Sequence, residues 1–66
     1  MKLIINGTEK KVEKVITISD LLKNFNLKKE RVAVELNREI KNREEFEKIM
    51  LKENDRLEII TLVGGG

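Results

Sequence analysis

Cysteine, histidine, tryptophan, tyrosine, proline and glutamine are all missing from this 66-residue chain. Without Cys and His there is no thiolate nucleophile, no Ser-His or Cys-His pair, no disulfide framework and no zinc site of ordinary ligand type. Metal or redox catalysis by the domain itself is therefore excluded. Two Phe are the only aromatic residues, which leaves almost nothing for bases to stack on and argues against nucleic acid as a partner. Long apolar runs are lacking too. Ile59-Ile60 and Leu62-Val63 fall far below the ~18 residues of a membrane span. No basic start followed by an apolar stretch resembles a signal peptide, so the expectation is a cytoplasmic protein with no membrane partner.

What remains is a short, charged chain. Fourteen basic and twelve acidic side chains leave a net charge of +2. The signs alternate along the sequence, so neither a nucleic-acid footprint nor an acidic tail stands out. At this length the chain is one domain that buries only roughly 60% of the surface its unfolded form exposes. A deep substrate cleft does not fit in it.

Lys2 to Asn6 reads as a first strand, Asn6-Gly7 as a hairpin turn, and Glu9 to Lys14 as the returning strand. Lys10, Lys11 and Lys14 around a single Val12 mark an edge strand, where lysines discourage edge-to-edge pairing; the alternative is a basic binding patch. A helix follows, from about Ile18 to Phe25. Thr17 at the N-cap and Asp20 three residues on form a capping box, and Ile16 can meet Leu21 as a hydrophobic staple. Ile18, Leu21, Leu22 and Phe25 give one apolar stripe that packs against the strands, and Asn26 closes the helix in the left-handed conformation.

Arg31 to Leu36 alternates, with Val32, Val34 and Leu36 inward and Arg31, Ala33 and Glu35 outward. Residues 37–39 turn the chain before Ile40. Asn42 can cap a short turn with Glu45, and the segment Glu47 to Leu51 reads equally as helix or as short edge strand. A polar turn at residues 52–55 leads into a last strand from about Arg56 to Val63. The fold class is thus α+β, with a mixed sheet of four to five strands packed on one main helix. If the last strand pairs with the first, it is central.

The chain closes on Gly64, Gly65 and Gly66, three of its four glycines. The α-carboxylate of Gly66 is ionised at neutral pH, with an ordinary pKa of ~3.3–3.7, and three residues reach at most ~10 Å beyond the sheet. Glycines without Cβ pass through a channel that any side chain would block. A slim reactive end suits processing by another protein; a frayed terminus is the other reading, and physics alone does not separate them.

The segments from Arg31 to Asn37 and from Asp55 to Gly66, with the Asn6-Gly7 hairpin, the Leu21-Leu22 helix and the Val63-Gly64-Gly65-Gly66 end, resemble the ubiquitin-like β-grasp family in its MoaD/ThiS branch of sulfur carriers. The resemblance covers essentially the whole chain. Two positions depart from the family pattern: Arg38, where Gly is usual after the Asn, and Asn54, where an Asp-Gly-Asp turn is common. Both lie in turns.

The resemblance implies a β-grasp domain over residues 1–63 and a flexible tail over 64–66. It implies that a ThiF-type adenylyltransferase uses ATP and Mg²⁺ to convert the Gly66 carboxylate to an acyl-adenylate. Sulfur drawn from cysteine by a cysteine desulfurase then displaces AMP, and the thiocarboxylate donates its sulfur to the thiazole synthase ThiG of thiamine biosynthesis. The chain itself then binds no cofactor and is a co-substrate rather than an enzyme. Gly64 and Gly65 thread into the partner. Two further readings stay open: a carrier for molybdopterin or tungstopterin synthesis or a ubiquitin-like modifier, and a plain interaction module.

Partners need a docking surface as well. On the last strand Leu57 and Ile59 are expected to face the helix, which leaves Ile60 and Leu62 on the opposite face with Ile4 and Ala33 of neighbouring strands. Arg56, Glu58 and Glu35 rim this patch.

Overall fold

The computed structural model describes residues 1–14 and 16–62. The chain runs β1 (Lys2–Ile5), β2 (Thr8–Lys11), α1 (Ile18–Asn24), β3 (Val32–Leu36), β4 (Glu39–Lys41) and β5 (Arg56–Thr61), with 3-10 turns at Lys29–Arg31 and Arg43–Glu45. One five-stranded sheet has the order β2-β1-β5-β3-β4. β1 and β5 pair in parallel, and the other neighbours are antiparallel. This is the β-grasp arrangement, with the last strand in the centre as expected. Among the described residues no helix is long and apolar enough to cross a membrane.

Local signals set the two hairpins and the helix. Asn6 and Gly7 turn β1 into β2 with φ of 51° and 82°, the left-handed values that a two-residue hairpin loop demands and that Asn and Gly tolerate best. At α1 the capping box is complete. The Asp20 N–H donates to Thr17 Oγ1 at 3.1 Å, and the Thr17 N–H donates to Asp20 Oδ2 at 3.2 Å. The helix ends when Asn26 enters the left-handed region at φ 58°, and the Leu27 N–H then closes on the Leu22 carbonyl.

The helix lies across one face of the sheet. Ile18, Leu21 and Leu22 are buried against Leu3, Ile5, Val32, Val34, Leu57 and Ile59, each worth roughly 1.5–3 kcal/mol of transfer free energy when fully buried. Phe46 and Leu51, 1% exposed each, complete the core from the irregular segment. Asn37 pins the start of β5. Its Nδ2 donates to Asp55 Oδ1, and its Oδ1 accepts the Arg56 N–H, both at 3.0 Å.

Several expectations need correction. β2 stops at Lys11 rather than Lys14, and α1 stops at Asn24, so that Phe25 is the C-cap and half-exposed rather than part of the core stripe. Ile40 belongs to a strand, because Asn37 and Arg38, at φ 50° and 72°, make a two-residue turn that folds β4 back onto β3. The segment from Glu47 to Leu51 is neither helix nor edge strand. Hydrogen-bonded turns run to Lys48, and the chain then touches Thr17 through a single bridge at Met50. The boundary expected after residue 63, the tail Gly64–Gly66 and the end of the last strand at Val63 lie outside the described residues.

Candidate functional site

Strand register decides what the outer face of the sheet presents. Leu57 and Ile59 are buried toward α1, which turns Arg56, Glu58 and Ile60 outward. Ala33 stands directly opposite Ile60 across β3 and β5. Leu62 continues the same face one step past the strand, its N–H donating to the Arg31 carbonyl at 2.7 Å. Ile60 is 54% and Leu62 49% exposed. Ala33, Ile60 and Leu62 are therefore brought together, at the end of β5 nearest the C-terminus. A groove beside them is lined by Val32, Ala33, Lys41, Arg43 and Leu62, and Arg43 is tied to the 3-10 turn at Lys29–Arg31. Its Nε donates to the Lys29 carbonyl at 2.9 Å and its Nη2 to the Glu30 carbonyl at 3.0 Å.

Ile4 is not part of that cluster. It pairs in register with Arg56, four residues before Ile60, which sets it about 13 Å back along the strand direction. The outward side chains of Arg56 and Glu58 lie between them. The register that separates them depends on how β1 and β5 pair, which alternation within either strand does not encode.

The charged residues expected at the rim form a patch of their own. Glu35 and Glu58 face each other across β3 and β5, a like-charge pair that water and salt must screen. Arg38 and Arg56 line the same shallow depression. The ion pairs found among the described residues are Lys2–Glu9 at 3.6 Å and Lys41–Glu39 at 3.1 Å, so neither arginine neutralises these carboxylates. Sequence reasoning missed Ile40, which is 75% exposed and sits beside Glu35 on the outer face. The signal was the Asn37-Arg38 pair between alternating Leu36 and Ile40.

Asn6 was recognised only as a turn residue. Its side chain also holds β5, for its Nδ2 donates to the Ile59 carbonyl at 3.2 Å and its Oδ1 accepts the Ile59 N–H at 2.8 Å. The main chain of Asn6 has already donated to the Leu57 carbonyl at 2.9 Å. The amide thus continues the β1 ladder by one more rung after the backbone has turned away. Together with Asn37 it anchors β5, the central strand, on both sides. Gly64, Gly65 and Gly66 themselves lie outside the described residues.

Comparison with known proteins places this geometry. The chain is 40% identical over 65 residues to the sulfur carrier protein ThiS of Bacillus subtilis, covering 97% of this chain and 98% of that protein. It is 36% identical over 66 residues to a thiazole synthase of Paramagnetospirillum magneticum, matching all of this chain but spanning only 20% of that protein's length. The crystal structure of the thiamine biosynthesis protein ThiS from Geobacter metallireducens superposes with a TM-score of 0.85 at 33% identity, with both chains fully covered. The sequence model of the ThiS family matches residues 3–66, and the chain belongs to that family.

Proposed function

We propose that this protein is a sulfur carrier of thiamine biosynthesis whose reactive group is the terminal carboxylate of Gly66. The observation that carries the reading is the match to the ThiS family through residue 66, which includes the Gly64-Gly65-Gly66 end. A carboxylate is a poor acyl donor because its leaving group would be oxide. Activation therefore precedes transfer. A carboxylate oxygen of Gly66 attacks the α-phosphorus of ATP on a ThiF-type enzyme, pyrophosphate leaves, and an acyl-adenylate forms. The terminal sulfur of a persulfide, formed from cysteine on a desulfurase, then attacks the acyl carbon and AMP departs with that oxygen; a thiol reduces the resulting acyl disulfide, leaving a thiocarboxylate and a disulfide on the thiol side. ATP and Mg²⁺ belong to the partner. With no Cys or His in the chain, every catalytic group comes from partners and this protein is their co-substrate.

Thiazole synthesis is the favoured destination of the sulfur. A segment similar to this whole chain occurs within single polypeptides that are thiazole synthases, and joining a donor to its acceptor in one chain supports a ThiG-type partner. Gly64 and Gly65 let the end thread into the partners' sites, and Ala33, Ile60 and Leu62 supply the nearer docking surface, with Ile4 as a separate apolar point.

The test is mass spectrometry of the intact chain after incubation with ATP, Mg²⁺, a ThiF-type enzyme, cysteine, a desulfurase and a thiol reductant. The expected product is heavier by the difference between sulfur and oxygen, and deletion of Gly65 and Gly66 abolishes the gain. An unchanged mass with an enzyme active on its own carrier would refute the proposal.

A further inference from the structure

Of the six asparagines in the chain, Asn6 alone is followed by glycine. The others precede Phe25, Leu27, Arg38, Arg43 and Asp55, whose side chains crowd the main-chain nitrogen that comes next. That nitrogen can attack the side-chain carbonyl carbon of the asparagine before it, which is one source of the thermal lability of asparagine. Glycine, with no Cβ, leaves the approach open. Asn6 and Gly7 are both exposed at the tip of the β1–β2 hairpin. A Cβ built on Gly7 would meet nothing within 4 Å, and no hydrogen bond among the described residues uses the Gly7 N–H. Neither packing nor the strand ladder restrains the nucleophile.

The electrophile is restrained instead. Asn6 Nδ2 donates to the Ile59 carbonyl at 3.2 Å and Oδ1 accepts the Ile59 N–H at 2.8 Å, so both ends of the amide are fixed on β5. Attack closes a five-membered ring through Asn6 Cγ and the Gly7 nitrogen and expels Nδ2. The ring therefore forms only after the amide has let go of Ile59.

We propose that Asn6-Gly7 is a latent deamidation site, gated by the bonds between Asn6 and Ile59. Once the amide swings free, the Gly7 nitrogen bonds to Asn6 Cγ, its proton passes to the departing Nδ2, ammonia leaves and a succinimide remains. Water opens that ring at either carbonyl, which gives aspartate or isoaspartate at position 6. Neither product rebuilds the bracket on β5. An ionised carboxylate has acceptor oxygens only, so an oxygen takes the place of the Nδ2 donor and faces the Ile59 carbonyl with no hydrogen between them. Isoaspartate also adds a methylene to the main chain inside a two-residue turn that pairs Ile5 with Thr8. The change is one-way. Each opening of the Asn6–Ile59 ring thus exposes the chain to permanent loss of one hold on the strand that leads to Gly66.

Peptide mapping by mass spectrometry tests the site, on wild-type chain held at mildly alkaline pH either folded or in urea. In urea, position 6 should gain the mass difference between a hydroxyl and an amino group well before the other five asparagines do. In the folded chain the same gain should be slower by about tenfold or more, because it waits on local opening. Leu57→Ala, which loosens β5, should bring the folded rate toward the urea rate. Asn6→Asp should speed hydrogen exchange of the Ile59 amide. Equal rates at position 6 in the folded and unfolded wild type overturn the gate, and this comparison decides even if either variant fails to fold. Modification in urea spread evenly over the six asparagines overturns the site. Unchanged Ile59 exchange in a folded Asn6→Asp chain overturns the loss of the bracket.

Discussion

The side-chain amide of Asn6 closes a ring on the backbone of Ile59, 53 residues away in sequence, with bonds of 3.2 Å and 2.8 Å. It stands in for a strand residue that the hairpin turn has removed. Asn6→Gly keeps the left-handed backbone at φ 51° and deletes only the amide. It should lower stability by about 1–3 kcal/mol, since a part-buried donor and acceptor lose their partners. Urea unfolding measures that loss, and faster exchange of the Ile59 amide assigns it to this site.

Arg38 occupies a backbone conformation, φ 72°, that suits glycine. Left-handed geometry costs a residue with a Cβ about 1–2 kcal/mol. Arg38→Gly should therefore raise the urea midpoint by the equivalent of about 1 kcal/mol, less the added freedom of the unfolded chain. A drop in midpoint would show that the Arg38 side chain, which lines the depression with Glu35 and Glu58, contributes more than the backbone strain costs.

Hydrogen bonds from the Thr17 backbone and then its hydroxyl hold the Asp20 carboxyl below its ordinary 3.8, with Lys23 and Lys14 adding smaller attractions. A depressed carboxyl pKa makes the ionised form the stabilising one. That contribution is complete above the unfolded value of 3.8 and is lost as pH falls through the lower, folded value. Melting curves of the wild type and Asp20→Ala should differ by a constant amount well above that pH and converge below it. A gap that widened with acid would contradict the assignment.

The two faces of β5 should respond oppositely to substitution. Leu57 is 1% exposed, and Leu57→Ala should cost about 2–5 kcal/mol, enough to unfold much of a domain this small. Ile60→Glu on the outer face should leave the melting temperature nearly unchanged and weaken binding to a ThiF-type enzyme about tenfold. Loss of folding in Ile60→Glu would mean that the strand faces are reversed.

Features whose cause is local were legible in the sequence. The Thr17–Asp20 capping box, the left-handed Asn26, the alternation of Val32 and Val34 and the inward Leu57 and Ile59 all follow from neighbours a few residues apart. The segment after Asn42 was not legible, because its backbone is satisfied at long range. The Ser19 N–H donates to the Phe46 carbonyl, the Ile18 N–H to the Ile49 carbonyl and the Leu51 N–H to the Ile16 carbonyl. These bonds fix an irregular path that matches neither period. The same division holds at the site. The outward placement of Ala33, Ile60 and Leu62 follows from alternation. The remoteness of Ile4 and the amide bracket of Asn6 depend on register between strands at opposite ends of the chain.

That register also bears on how the protein emerges from the ribosome. β5 is made last of the strands and joins β1 to β3. Until residue 61 is free, the nascent chain has no strand to join the β1–β2 pair to the β3–β4 pair, and the edges of β1 and β3 that β5 covers have no partner. The sheet can close only when the segment that leads to Gly66 inserts between them.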